Sequence, residues 1–301
     1  PIFIGLYAFI QEINDGIELT HAEERGLRII DPIQPLLQHV QQHRGMMIAY
    51  LNGELELEKP LINKRKEIEQ DFINIEKANQ RSVKTGNSED SRFRETSTQF
   101  NKLNKEWSEL EQSANNGTLE ISESYKLHTA LAHNIIATIK YIGDTSGLIL
   151  DPHLDTYYLI ESVTGKLPLI SEYLGEMRAL GLMIPEGKSL LQSDKQVFLS
   201  ISTIASSNLE LMNSGMDTAF KENIVIQKNL SSDVKKTMGQ AEVFLDLIDK
   251  KIITASVNNI QSDEYYQVGT VAVDQTFKLS RTTSLELLKL LEKRIQELET
   301  K

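Results

Sequence analysis

The chain has 301 residues, of which 40% are hydrophobic, 25% are charged and 6% are aromatic, with 16 Gly and 7 Pro. This composition is typical of a folded, helix-rich protein and excludes an intrinsically disordered chain. The net charge of −11 argues against a nucleic-acid partner, because phosphate binding requires a basic surface, and the absence of cysteine excludes a thiol nucleophile.

Helical periodicity runs along the chain, and no stretch alternates apolar and polar residues for long enough to predict a sheet. The predicted fold is all-α and elongated, with two stacked up-and-down four-helix bundles and long first and last helices. The first helix is predicted to reach about Leu51, with a break near Asp31, Pro32 and Pro35. The other helices are predicted at about residues 55–82, 90–113, 118–145, 153–181, 187–229, 230–258 and 262–301.

The breaks between these helices are short, so the whole chain is predicted to be one unit. Its approximate sub-bundles are residues 31–145 and 146–301, and residues 1–30 join the membrane-proximal part. Asp151 followed by Pro152 predicts an N-cap with proline at the first helical position. Pro168 lies within the same predicted helix and is expected to kink it or end it early.

Both ends of the chain resemble interrupted helices. The first ten residues, PIFIGLYAFI, carry no charge, although a membrane span takes about twenty residues. They predict either a buried first helical turn or the outer end of a membrane helix. The last residues, LELLKLLEKRIQELETK, contain no Gly or Pro stop signal. The ends therefore favour a chain that lies between two flanking membrane helices of its own.

Two apolar stripes repeat at alternating steps of three and four residues, which is the spacing of helices that pack lengthwise. The stripe of the last helix comprises Leu288, Leu291, Ile295 and Leu298. The stripe of the first helix comprises Ile30, Ile33, Leu37, Val40, Arg44, Met47 and Leu51.

Arg44 occupies an apolar position of the first stripe. A buried guanidinium is costly unless a carboxylate or a bound anion satisfies it. Arg44 therefore predicts either an internal salt bridge or a binding site for an anion or carboxylate ligand between helices.

A second charge on an apolar line is Asp274, which continues the stripe of the last helix backward. At a rise of about 1.5 Å per residue, Arg44 lies too far along its helix to pair with Asp274. Arg25 and Arg28 are closer to its level, and Arg28 is a candidate site residue with Asp274.

Histidines and aromatic residues supply the other candidates. His39 and His43 share a helix face, but two ligands are too few for a metal, so no metal centre is predicted and His43 stays a candidate ligand-binding residue. His128 and His133 are expected to pack without a special role.

Tyr157 and Tyr158 beside Asp155 predict either core packing or one wall of a pocket. A pocket of this kind would bring Tyr157 and Asp155 to Arg44. No catalytic or cofactor motif is present, so the sequence predicts neither an enzyme nor a cofactor.

Three stretches, LLQHVQQHRGMM, DTSGLILDPHLDTYYLIESVTGKLPLISEYLGEMRALG and VAVDQTFKL, resemble the periplasmic sensor regions of bacterial chemotaxis receptors and sensor kinases. The resemblance spans most of the chain and is similar in layout to helical bimodular and nitrate-sensing regions. The second stretch is the most specific. The paired-arginine motif of the best-known nitrate receptors is absent, which puts nitrate in doubt as the ligand.

The resemblance implies a periplasmic, dimeric receptor region that binds a small anion or organic acid between helices and passes a helix shift to the membrane. Arg44 is the position that corresponds to an anion-holding arginine. Sensing through a periplasmic binding protein is a further possibility that the resemblance implies. The alternative from another class is a helical protein-interaction or scaffold module that binds no small molecule.

Overall fold

The computed structural model describes residues 2–85, 95–185, 187–258 and 261–300. Within these ranges the chain forms ten α-helices, and the only β pairing is a single bridge between Ser189 and Val257. The helices are α1 (Ile2–Ile30), α2 (Ile33–Leu51), α3 (Glu58–Thr85), α4 (Thr96–Asn115), α5 (Ile121–Thr145), α6 (Leu154–Glu161), α7 (Leu167–Leu182), α8 (Gln192–Glu222), α9 (Ile224–Ile248) and α10 (Ser262–Glu299). The all-α prediction is confirmed, and so are the long first and last helices.

The long first helix breaks where the sequence predicts it. α1 ends at Ile30 and α2 begins at Ile33, with Asp31 and Pro32 between them. Pro32 has no N–H to donate, so the backbone ladder is interrupted at this point. Because the break is only two residues long, α1 and α2 follow one another as a single bent rod.

Several other predicted boundaries differ from the structure. The helix predicted at 187–229 ends at Glu222, because the Asn223 side chain accepts hydrogen bonds from the backbone N–H groups of Val225 and Ile226 and caps α9. The prediction of Asp151 as an N-cap is wrong by two residues, since α6 begins at Leu154 with His153 at the cap. The predicted helix start at residue 90 lies outside the described residues.

Pro168 lies in the first turn of α7, where its missing N–H leaves no intrahelical bond unmade. A π-helical turn, Ser162–Lys166, separates α6 from α7 directly before it. The irregularity predicted at Pro168 therefore takes the form of a π-helical turn directly before α7.

The helices pack as two groups that share one hydrophobic core. α2, α3, α4 and α5 contact one another in the first group, and α7, α8, α9 and α10 contact one another in the second. The groups meet where α2 and α5 contact α7. α1 belongs to neither group but joins them, since it contacts α3 and α5 on one side and α10 on the other. α7 thus lies between the groups, with neighbours on both sides. The predicted division at residues 145 and 146 stays a prediction.

A buried polar cluster ties α1, α10 and the segment before α6 together. Arg294 donates to Asp151 across 2.8 Å and lies 3.4 Å from Glu23. Burial and the Asp151 charge raise the pKa of Glu23 to about 8, although Arg294 acts in the opposite direction. Asp151 takes the better hydrogen bonds, so Glu23 is the acid that holds a proton at neutral pH.

The start of α1 is not a buried turn. The side chains of Ile4, Leu6, Tyr7 and Phe9 are all more than half exposed. No helix of the described residues combines the length and the apolarity required to cross a membrane.

Candidate functional site

α7 carries its charges in the interior of the protein. Its sequence, LPLISEYLGEMRALGL, is mostly apolar, yet the exposed fractions of Glu172, Glu176 and Arg178 are 0%, 7% and 1%. Charged side chains are almost never fully buried unless they are paired. The partners of these three side chains therefore define the candidate site.

Arg44 of α2 meets Glu172 inside the contact between the two groups. Its Nη1 lies 2.6 Å from Glu172 Oε1 and 2.8 Å from Thr129 Oγ1, and both charged side chains are fully buried. Burial alone lowers the pKa of Arg44, but the Glu172 carboxylate more than offsets this effect and raises it. Of the two alternatives for Arg44, the structure shows the internal salt bridge.

Glu176 lies one turn after Glu172 and faces α5. His133 Nε2 lies 2.8 Å from Glu176 Oε1, and the Tyr125 hydroxyl donates to Glu176 Oε2 across 3.4 Å. The hydrogen bond to Glu176 raises the pKa of His133. Burial raises the pKa of Glu172 to about 6, and the Glu176 charge adds to this rise.

Arg178 faces α10 and lacks a carboxylate partner within the described part of the chain. It donates to Thr270 Oγ1 across 2.9 Å and to the Gln41 carbonyl across 3.4 Å, and its guanidinium lies 5.0 Å from the Tyr266 ring centroid. Burial lowers its pKa, and its buried Nε has no hydrogen-bond partner. Arg178 is therefore a buried cation whose hydrogen-bond partners among the described residues are all neutral groups.

Gly175 lets the Arg44 and Gln41 side chains of α2 approach α7 closely. A Cβ at Gly175 would lie 3.1 Å from Arg44 Nη2 and 3.1 Å from Gln41 Oε1. The Gln41 Oε1 atom and Arg44 Nε are themselves buried without a partner. A side chain at Gly175 would therefore press on both Arg44 and Gln41.

His43 points away from Arg44, into the first group of helices. Its Nδ1 lies 2.7 Å from His128 Nε2, and His128 Nδ1 lies 2.7 Å from the Ser124 carbonyl oxygen. His128 therefore donates through Nδ1 and accepts from His43. Burial lowers the pKa of both rings, to about 3 for His128, so both are neutral. His39 lies apart from this pair, with Nδ1 2.6 Å from Asp71.

Asp274 and Arg28 are not brought together. Asp274 accepts a hydrogen bond from Gln38 Nε2 across 2.9 Å, whereas Arg28 contacts Glu24 and Glu292, each within 2.8 Å. Arg28 also lines a cavity of about 530 Å³ that opens between α1, α3 and α10 and carries charges of both signs.

Asp155, Tyr157 and Tyr158 lie against α8 and the start of α9. Asp155 accepts from Asn223 Nδ2 across 3.0 Å, and the Tyr158 ring packs so closely on Gly215 that a Cβ there would meet it at 2.7 Å. The Tyr157 and Tyr158 rings contact each other edge to face. Arg44 contacts α5 and α7 instead, so the structure does not assemble the predicted pocket of Arg44, Asp155 and Tyr157.

The outer face of α8 shows the reverse of α7, since it is exposed and almost uncharged. Val197, Ile204 and Leu211 follow one another at steps of seven residues and are 46%, 43% and 53% exposed. The exposed residues from 196 to 214 are Gln196, Val197, Leu199, Ser200, Thr203, Ile204, Ser207, Glu210, Leu211 and Ser214. Glu210 is the single charge among these ten.

Comparison with known proteins gives one informative match. No family model matches the chain, and no curated protein matches it. A solved structure, that of the NasR transcription antiterminator, matches with a TM-score of 0.60 at 10% sequence identity and covers 100% of this chain and 82% of that chain. At this identity the match shows a shared helical fold.

The comparison overturns the prediction of a ligand-sensing region of a chemotaxis receptor or sensor kinase. A solved structure that matches over the whole of this chain is that of a transcription antiterminator. The receptor, chemotaxis and membrane assignments were therefore wrong. They rested on three stretches that resemble receptor sensor regions and on the two ends of the chain, and a helical pattern does not distinguish a receptor from another regulator with the same bundles.

The sequence reasoning missed Glu172, Glu176 and Arg178. Their signal was present, because three charges interrupt an otherwise apolar helix whose two flanks both contact other helices. A helix that is apolar all round is a buried helix, so each charge on it requires a partner.

Proposed function

We propose that this chain is a helical interaction module of a regulatory protein, and that it pairs with a second copy of itself through the outer face of α8. The observation that carries the proposal is the outer face of α8, which exposes Val197, Ile204 and Leu211 and carries one charge among ten exposed residues. The whole-chain likeness to a transcription antiterminator supports a regulatory role. The net charge of −11 favours protein over nucleic acid as the partner.

The spacing on α8 suits a helix as the occupant. Val197, Ile204 and Leu211 repeat every seven residues, and Ser200, Ser207 and Ser214 lie between them on the same face. Apolar residues with this period pack against a neighbouring helix, and small residues between them permit a close approach. The face opposite to them is buried against the core through Phe198, Ala205 and Leu209.

A second copy suits this face because the chain as a whole is acidic. Two chains of charge −11 repel each other, so self-association is favoured at a surface that carries few charges. An antiparallel arrangement keeps Glu210 and Asp217 of one copy away from those of the other. The same patch then serves both copies around a two-fold axis.

Light scattering at increasing protein concentration tests this pairing. The wild-type chain is expected to form dimers, and Ile204→Glu is expected to remain monomeric because each dimer would bury two unpaired carboxylates. Val243→Glu is the matched control, since Val243 is 55% exposed on α9 and lies outside the face. A monomeric wild type, or a dimer that survives Ile204→Glu, contradicts the proposal.

A second candidate function is the binding of a small anion at Arg178. Among the described residues, Arg178 is a buried guanidinium without a carboxylate partner, and the Nε atoms of Arg178 and Arg44 lack acceptors that a nitrate or carboxylate group could supply. Such a ligand would bridge Arg178 of α7 to α2 and α10. These two helices contact the arginine through the Gln41 carbonyl and Thr270.

Thermal unfolding in nitrate, acetate and dicarboxylates tests the anion site. A bound anion at about 100 times its dissociation constant stabilises the fold by about 2.7 kcal/mol. Arg178→Met is expected to abolish the shift in melting temperature, and Arg28→Ala, at an exposed arginine, is expected to retain it. A panel of anions without any shift contradicts this second function and leaves the α8 test unaffected.

A further inference from the structure

Three side chains with metal-ligating atoms converge where α5 contacts α7. The ligand atoms of His133, Glu172 and Glu176 all lie within 4.8 Å of one another. The carboxylates come from one face of α7, four residues apart, and the imidazole comes from α5. Around tetrahedral Zn²⁺ the ligand atoms are about 3.4 Å apart, so small side-chain rotations close this set around one ion.

The charges around the cluster favour a cation. Two buried carboxylates, those of Glu172 and Glu176, face one guanidinium, that of Arg44, so acidic groups outnumber the fixed cations that contact them among the described residues. In the described structure the 2.8 Å contact between His133 Nε2 and Glu176 Oε1 holds a proton between two ligand atoms. A metal ion takes the place of such a proton when it binds.

Neighbouring groups already orient the carboxylates. Arg44 donates to Glu172 across 2.6 Å, and the Tyr125 hydroxyl donates to Glu176 across 3.4 Å. Hydrogen bonds of this kind fix the direction of ligating oxygens in metal sites. The His133 side chain is 43% exposed while both glutamates are buried, so the cluster has an open side for an ion and a water molecule to enter.

We infer that His133, Glu172 and Glu176 form a Zn²⁺ site with three protein ligands and a water molecule in the fourth position. One imidazole nitrogen and two carboxylate oxygens suit Zn²⁺, whereas Mg²⁺ prefers oxygen ligands and retains its own waters. The site is independent of α8 pairing, and its ligands lie on the side of α7 that faces α5.

Calorimetric titration of the tag-free full chain with ZnCl₂ tests the site. The wild type is expected to bind one ion per chain, and MgCl₂ is expected to give no binding. His133→Ala and Glu176→Gln are each expected to weaken Zn²⁺ binding at least about tenfold. His133 is half exposed, so its replacement preserves the fold, and the circular dichroism of each variant verifies this.

His39→Ala is the matched control. His39 also lies between two carboxylates, but Asp71 approaches Nδ1 at 2.6 Å and Glu67 approaches Nε2 at 3.5 Å. These carboxylates lie on opposite ring nitrogens and cannot share one ion with the ring, so this variant is expected to bind Zn²⁺ like the wild type. A wild type that binds no Zn²⁺, a His133→Ala variant with unchanged affinity, or an equal loss in His39→Ala overturns the inference.

Discussion

α7 and α8 are consecutive helices that distribute polarity in opposite ways. α7 is buried and carries Glu172, Glu176 and Arg178 in the interior, whereas the outer face of α8 is exposed and carries one charge among ten residues. Buried charge and exposed apolar surface are both costly in an isolated chain. This difference is the reason why we propose an ion site at α7 and a protein contact at α8.

The two buried arginines at α7, Arg44 of α2 and Arg178 of α7 itself, differ in their partners. Arg44 has a carboxylate partner at 2.6 Å, and Arg178 has none among the described residues. Loss of one partner from a buried ion pair leaves the other charge uncompensated, whereas loss of an unpaired cation leaves no such charge behind. The two arginines should therefore respond differently to the same substitution.

The largest effect is expected for Arg44→Met. This change leaves Glu172 fully buried without its guanidinium, so the free energy of unfolding is expected to fall by about 3–5 kcal/mol. Urea denaturation followed by circular dichroism measures it. The double variant Arg44→Met/Glu172→Met removes both charges and is expected to recover most of the loss. A double variant no more stable than the single one would show that the ion pair is not the cause.

The next largest effect concerns pH and the buried acid Glu23. Its folded pKa of about 8 lies above its ordinary value of 4.5, so the folded state holds a proton that the unfolded state releases between these values. Stability is therefore expected to fall as pH rises from 6.5 to 8, by about 1 kcal/mol per pH unit. Urea denaturation across this range measures the slope. Glu23→Gln mimics the protonated acid and should flatten it, and an equal slope in this variant contradicts the assignment.

Arg178→Met is expected to change the free energy of unfolding by no more than about 1 kcal/mol in either direction. Removal of a buried cation that no carboxylate among the described residues contacts offsets the loss of its bonds to Thr270 and the Gln41 carbonyl. The same urea denaturation measures it beside Arg44→Met. A loss as large as that of Arg44→Met would mean that both arginines are structural.

The smallest effect is expected for Arg28→Ala. Arg28 pairs with Glu24 and Glu292, and the side chains of Arg28 and Glu292 are 50% and 44% exposed. Exposed salt bridges contribute about 0–1 kcal/mol. The loss should also shrink as salt is added, because exposed charges are screened. A loss of several kcal/mol that is insensitive to salt would place Arg28 among the buried pairs.

The sequence was sufficient for the fold class and for the long rods, because helical periodicity and the break at Asp31 and Pro32 are local signals. It was also sufficient to mark Arg44 as a misplaced charge. It did not identify Glu172 as the partner, because that pairing joins residues 128 positions apart through the contact of α2 with α7.

Other candidate residues were not brought to Arg44, because proximity along the sequence does not determine which neighbouring helix a side chain faces. His43 immediately precedes Arg44 on α2, yet its ring contacts His128 in the first group of helices. Asp155 and Tyr158 pack against α8 and the Asn223 turn, which no local pattern connects to them. The receptor assignment failed for a similar reason, since a helical pattern specifies a bundle and not the protein that carries it.

Cysteine cross-linking tests the pairing of α8 most directly, because the chain has no cysteine of its own. Single cysteines at Ser200, Ile204, Ser207 and Leu211 are oxidised in turn, with Val243→Cys as the control. Antiparallel pairing predicts fast disulfide formation at the one position nearest the two-fold axis, where the Cα atoms come within about 4.4–6.8 Å. Cross-linking at every α8 position no faster than at Val243→Cys would contradict the α8 interface.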